Sequence, residues 1–278
     1  MGSKPSRTLS AVFHPRKFAP FPGLTDRQAL DQAWQENPIW VHACMAHAAY
    51  RSREENELLF RSLGVQIRYY QSGFRKGIKR GREAILAIWD DKAILAFQGT
   101  VASKGLRVKT PKYLFRLGRK IGLKVPEDFS IILSGDVIDD LRATKIDYKG
   151  ARVHKGFFRA TGELWNDIEK DLVGLNLTIP QEVYATGHSL GGAMAVVAGM
   201  KYPFKQVVTF GEPKVGNGVE GVIACRHIRY VNGKDIVPRI IPKFLSFKHH
   251  GEEQKVQDES GTHLIRDHSI VNYAEIVK

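Results

Sequence analysis

Thr186-Gly187-His188-Ser189-Leu190-Gly191-Gly192 contains the pattern G-x-S-x-G at Gly187 to Gly191. A β-rich run, Glu182 to Thr186, precedes it, and an Ala/Met/Val-rich segment of helical character, Leu190 to Met200, follows. That strand-turn-helix context is what the pattern requires. A serine at so sharp a turn is forced into a strained backbone conformation that lifts its hydroxyl clear of the sheet. Larger residues at the flanking positions would collide with strand or helix, so both are glycine. The following amide, that of Leu190, stands at a helix N-terminus and is placed to donate to an oxyanion.

Outward from this turn the chain alternates. After Arg152 come a strand, a helix carrying Phe158, Leu164, Trp165, Ile168 and Leu172, the strand Glu182 to Thr186, the helix after Ser189, and a strand Gln206 to Phe210. Such alternation predicts a parallel sheet with crossover helices. Upstream, a helical pattern runs from Asp31 to Tyr50. Val65 to Tyr70 reads as a strand, and Ala84 to Trp89 with Ala93 to Phe97 as a hairpin around Asp90-Asp91-Lys92. Downstream, a strand at His227 to Val231, an antiparallel pair around Ser246 to Gln257 and a helix from Arg266 complete the pattern. Residues 1–28 are Pro-rich and basic and read as an extended arm, leaving residues 29–278 as one α/β domain.

A serine hydroxyl is a poor nucleophile near neutrality unless a histidine takes its proton and a carboxylate orients that histidine. On such a sheet the partners follow in the order Ser, Asp/Glu, His, at the ends of later strands. Asp235 lies just beyond the strand His227 to Val231, where the acid is expected. Asp267 is the competing carboxylate, but it adjoins His268, and neighbours at a helix start do not face each other. His268 opens the last helix, anchored by Ile270, Val271, Tyr273 and Ile276, and is the expected base. His263 is the reserve, while His249, His250 and Gly251 read as a structural strand segment.

Taken together, these segments resemble the class 3, fungal-type lipases, which have the α/β-hydrolase fold. The likeness runs from about residue 36 to 275. Asn232-Gly233-Lys234-Asp235-Ile236-Val237-Pro238 resembles the family's aspartate block, and Asp267-His268-Ser269-Ile270 its histidine block. Val153-His154-Lys155-Gly156-Phe157 resembles a pre-helix block, with His154 and Gly156 structural. Phe210 to Asn217 resembles the loop after the strand that follows the nucleophile. Phe97-Gln98-Gly99-Thr100 matches the oxyanion block, so the resemblance implies that Thr100 joins Leu190 as an oxyanion donor. The alternative for its hydroxyl is an ordinary turn bond. Gln98 departs from the family's arginine, which puts in doubt the ion pair that arginine makes.

In this family a lid commonly follows the oxyanion block, and residues 101–126 stand in its place. Leu114, Leu117 and Ile121 share one helical face, and Lys112, Arg116, Arg119 and Lys120 the other. That pattern fits an interfacial helix or a surface helix with a solvated basic face.

The formal charge is +13, from 42 Lys+Arg against 29 Asp+Glu. Val101 to Pro126 contributes +8 and Ser72 to Arg82 contributes +5, neither stretch containing an acid, so the remainder is neutral. A surplus so placed beside the oxyanion block suggests an anionic lipid–water interface as partner, and no nucleic acid is expected. The two cysteines, Cys44 and Cys225, read as buried structural thiols, not a disulfide scaffold. No ligand-spaced Cys or His cluster appears, so neither metal nor cofactor is expected. There is no Sec-type signal or membrane-spanning run, which fits a cytoplasmic protein or one exported without a signal, peripheral at membranes. Met1 to Ser6 fits the short myristoylation pattern at Gly2, or a frayed polar terminus.

The expected activity is serine carboxylic-ester hydrolysis, as a lipase cleaving acylglycerols through an acyl-enzyme on Ser189. The alternatives are a phospholipase A acting on anionic phospholipid and, in a different class, a basic membrane- or nucleic-acid-binding protein on a hydrolase scaffold. A broken triad would mark the last.

Overall fold

The computed structural model describes residues 15–73, 81–100, 144–176, 182–239, 247–257, 263 and 266–278. The lid expected at residues 101–126, the basic residues 75–80 and the N-terminal myristoylation pattern lie outside them.

Helices α1 (Arg27–Glu36), α2 (Pro38–Ala48) and α3 (Arg53–Ser62) lead into β1 (Gln66–Gln71), β2 (Glu83–Trp89) and β3 (Lys92–Phe97). After β4 (Lys145–Tyr148) and β5 (Ala151–His154) come α4 (Lys155–Asn176), β6 (Glu182–His188), α5 (Leu190–Gly199), β7 (Gln206–Phe210) and β8 (Gly216–Asn217). The chain closes with β9 (Arg226–Asn232), β10 (Glu252–Val256) and α6 (Ile270–Ile276). The main sheet has the order β1-β2-β3-β6-β7-β9-β10. The first two pairings are antiparallel, and the four from β3 onward are parallel. A small second sheet joins β4, β5 and β8.

Two-residue periodicity sorts the sheet's side chains into two cores. Leu86, Ile88, Leu95 and Phe97 pack with α4 and α5 on one face, whereas Ile85, Ala87, Ile94 and Ala96 pack with α1 to α3 on the other. Because both faces are covered, β2 and β3 read as continuous apolar runs. Helix α5 is buried all round, which explains its lack of a polar face. Strand β6 at the sheet's centre therefore delivers its C-terminal end to a rigid platform.

Several sequence readings differ from the structure. The single helix expected from Asp31 is two helices, divided at Asn37-Pro38. Proline lacks the N–H that would continue α1 and disfavours helical geometry at the residue before it, while the Asn37 side chain accepts from the Trp40 amide and starts α2. Helix α3 went unread because its pattern is largely polar; the capping box of Ser52 with Glu55 starts it. The expected antiparallel pair around Ser246 to Gln257 is instead β10 running parallel to β9, plus one bridge between Gly216 and Lys248. Finally, residues 15–28 are not an extended arm. Pro15–Lys17 form a 3-10 turn, Phe21 is buried against Trp40 and Phe60, and α1 begins at Arg27. Both cysteines are free, Cys44 buried and Cys225 half-buried at the edge of the core.

Candidate active site

Ser189 joins β6 to α5 with φ 58° and ψ −128°, a conformation that costs a non-glycine residue roughly 1–3 kcal/mol. Both flanking glycines are explained by close approaches. A Cβ on Gly187 would stand 2.3 Å from the Gly191 carbonyl, and one on Gly191 would stand 2.2 Å from the Phe97 carbonyl oxygen at the end of β3. The Gly192 and Ala193 amides donate to the Ser189 carbonyl at 3.0 and 3.3 Å. The intrahelical pattern thus begins there, and the Leu190 amide belongs to the uncommitted first turn.

His268 Nε2 lies 3.0 Å from Ser189 Oγ, and His268 Nδ1 lies 2.9 Å from Asp235 Oδ2. A carboxylate only accepts, so Nδ1 carries the proton and Nε2 is bare toward the serine hydroxyl. Asp235 is fully buried. Its Oδ2 also accepts from Tyr273 Oη at 2.7 Å, and its Oδ1 from the Val237 amide at 2.9 Å. Burial and then the Asp235 charge push the Tyr273 phenol well above its ordinary range, so it remains a proton donor. An imidazole held this way can accept the serine proton while the carboxylate stabilises the resulting cation.

Thr100 follows β3, whose Phe97 pairs with Gly187 of β6. Its Oγ1 is buried and has no hydrogen-bond partner among the described residues. An ordinary turn bond would have occupied that hydroxyl. Gln98, standing where the family has arginine, donates from Nε2 to Glu83 Oε2 at 2.8 Å and to the Ala49 carbonyl at 2.9 Å. A neutral amide thus serves a carboxylate that arginine would have met as an ion pair.

The competing candidates are placed elsewhere. Asp267 accepts the Lys234 and His263 amides at 2.7 and 2.8 Å and so fixes the turn before Asp235; burial raises its pKa. The His263 ring accepts from the Arg266 amide at 3.4 Å. His249 and His250 belong to a polar cluster around buried Glu212. The ring of His250 stacks on that of His227, and His249 Nε2 donates to the Pro238 carbonyl at 2.9 Å. Burial alone would raise the Glu212 pKa, but His227 and His249 more than offset it and hold it at about 2. These two histidines sit in the approach to β10 and not in a strand.

A model of the class 3 lipases matches residues 126–245. Over that stretch the chain resembles the class 3 lipases. Among its relatives is the secreted mono- and diacylglycerol lipase LIP4 of Malassezia restricta, 29% identical over 182 residues, covering 58% of this chain and 61% of that one. A lipase of Rhizomucor miehei is 32% identical over 140 residues, covering 44% and 39%. The chain thus spans about three fifths of the length of the first of these relatives. The native propeptide complex of the Rhizomucor miehei lipase superposes with a TM-score of 0.57 at 23% identity, covering 82% of this chain and 70% of that one, which shows the α/β-hydrolase fold.

Within that fold, two site residues escaped the sequence reading. Tyr273 looked like an apolar anchor of the last helix, yet its hydroxyl accepts the Asn232 amide at 2.9 Å while donating to Asp235. Gly211 has φ 58°, and a Cβ there would stand 2.6 Å from Asp235 Oδ2. Its signal was available, since it is the first residue beyond the strand next to the nucleophile strand.

Proposed function

We propose that the protein is a serine carboxylic-ester hydrolase acting on acyl lipids. Ser189 Oγ attacks the acyl carbonyl as its proton passes to His268 Nε2, and Asp235 holds the imidazolium that forms. The Leu190 amide and the amide and hydroxyl of Thr100 receive the oxyanion. Collapse of the tetrahedral intermediate expels the alcohol, which takes the proton from His268. A water then gives a proton to His268 as it attacks the acyl-enzyme carbonyl, and collapse of this second intermediate breaks the acyl–Oγ bond, returning the proton from His268 to Ser189 and releasing the fatty acid. The chain Ser189 Oγ–His268–Asp235, closed within hydrogen-bonding distance at both joints, carries this reading. It is also what a binding protein on a hydrolase scaffold would have no reason to keep intact.

The acylglycerol class of substrate is taken from the relatives, one of which is named a mono- and diacylglycerol lipase. The two acid-free basic stretches favour an anionic lipid–water interface as the place of action, with phospholipase A activity as the second reading. No helix among the described residues is long and apolar enough to cross a membrane. Ser189→Ala should abolish hydrolysis of a p-nitrophenyl ester while leaving the thermal midpoint near that of the wild type. Retained turnover would remove Ser189 from the role of nucleophile.

A further inference from the structure

His188 occupies the position between Gly187 and the nucleophile and is almost fully buried. Its Nε2 lies 2.8 Å from the backbone carbonyl oxygen of His268, and its Nδ1 lies 2.8 Å from Tyr50 Oη. A carbonyl only accepts, so Nε2 carries the proton, Nδ1 is bare, and the Tyr50 hydroxyl donates to it. Both bonds run one way, from the phenol through the imidazole to the backbone of the base. Burial, reinforced by the neighbouring His268, drives the His188 pKa far down and keeps the ring neutral. Neutrality matters because the two rings stand only 4.5 Å apart between centroids. A cation there would oppose the imidazolium that His268 must become.

The other end of this chain bears on the oxyanion side. A Cβ on Gly99 would lie 2.1 Å from Tyr50 Oη and 2.5 Å from the His188 carbonyl oxygen. One residue earlier, Gln98 is bonded to the Ala49 carbonyl. Ala49 and Tyr50, just beyond α2, thus touch the Gln98-Gly99-Thr100 segment directly and the base histidine through His188.

We propose that Tyr50 and His188 form a neutral relay that holds His268 and the Thr100 segment in register on either side of Ser189, making both of them positioning residues. The proposal rests on the ester-hydrolase reading above. Tyr50→Phe, His188→Leu, His188→Gln and the double variant Tyr50→Phe/His188→Leu are compared with the wild type and Ser189→Ala on a soluble short-chain p-nitrophenyl ester. Tyr50→Phe and His188→Leu should each lower kcat about ten-fold with KM within about two-fold, as for one lost hydrogen bond that orients the base. The double variant should be no slower than His188→Leu, since the phenol has then already lost its acceptor. His188→Gln, whose amide both accepts and donates, should recover most of the rate.

Additive losses, a change confined to KM, or failure of glutamine to rescue would overturn the relay. Tyr50→Phe keeps the ring and so tests the hydroxyl even if His188→Leu does not fold. A wild type with turnover and unimpaired Tyr50→Phe would sink the relay alone. A wild type as inert as Ser189→Ala would remove the hydrolase reading and the relay with it.

Discussion

At the scale of single residues, the site depends on polar groups whose partners are assigned by chemistry. Asp235 accepts from His268, Tyr273 and Val237, leaving the imidazole one orientation and one tautomer. His42 is the contrasting case. It is buried among Trp34 and Tyr184, both ring nitrogens lack a hydrogen-bond partner among the described residues, and burial lowers its pKa to about 3. The unfolded chain takes up that proton near the ordinary value of about 6.5. Between there and about 3 the unfolded state binds more protons, so stability falls as the pH falls, by up to about 1.4 kcal/mol per pH unit from this one group. His47 and His154, held at about 4 chiefly by burial, act in the same direction. His42→Phe keeps an aromatic ring in place and removes the titration. Its urea midpoints at pH 7 and pH 4.5 should lie closer together than those of the wild type, and an unaltered spacing would refute this account of His42.

At the scale of elements, the junctions matter more than the bodies. Strand β6 and helix α5 could meet at many angles, but the 2.2 Å clearance at Gly191 brings the helix start against the end of β3 and thereby sets Leu190 beside the strand that leads to Thr100. Gly191→Ala forces backbone against backbone, which no rotamer change relieves. Turnover should fall of order 100-fold, since a displacement of about 1 Å at the reacting atoms costs that much. A parallel decrease in thermal midpoint would record the strain, and an alanine variant with full activity would show that the contact does not set the elbow. The split of the expected long helix at Asn37-Pro38 teaches a related lesson. Hydrophobic periodicity continued across the break, and only the proline and the Asn37 cap marked it. Helix α3 was overlooked for the opposite reason, because a surface helix with few apolar residues carries its signal in its Ser52–Glu55 cap.

For the whole molecule, the charge surplus divides into two stretches, and the remainder of the chain is neutral. A basic residue at an anionic membrane surface contributes about 1 kcal/mol, an effect that added salt weakens. Replacing Lys112, Arg116, Arg119 and Lys120 by glutamine should therefore slow hydrolysis of anionic phospholipid emulsions more than that of neutral triacylglycerol, while sparing soluble short-chain esters. Equal losses on all three substrates would assign the charge another task. Much of the architecture could be read directly, because buried strands and fully buried helices must be apolar in runs of characteristic length. The serine turn, the aspartate and the histidine were legible too, since strained backbone requires glycine and the order of strands dictates where partners stand. What chain order could not convey is contact between distant segments. Asp267 and Asp235 differ little as letters, and only the fold turns one toward backbone amides and the other toward His268. Tyr273 reads as an anchor until Asn232 and Asp235 are brought to its hydroxyl. His188 reads as a filler between glycine and serine until Tyr50, 138 residues earlier, and the His268 backbone close on its two nitrogens. The sequence alone determined which residue types had to occur and in what order. The tertiary structure decided which polar atoms meet, because hydrogen bonds are made over a few ångströms between groups whose separation along the chain carries no such information.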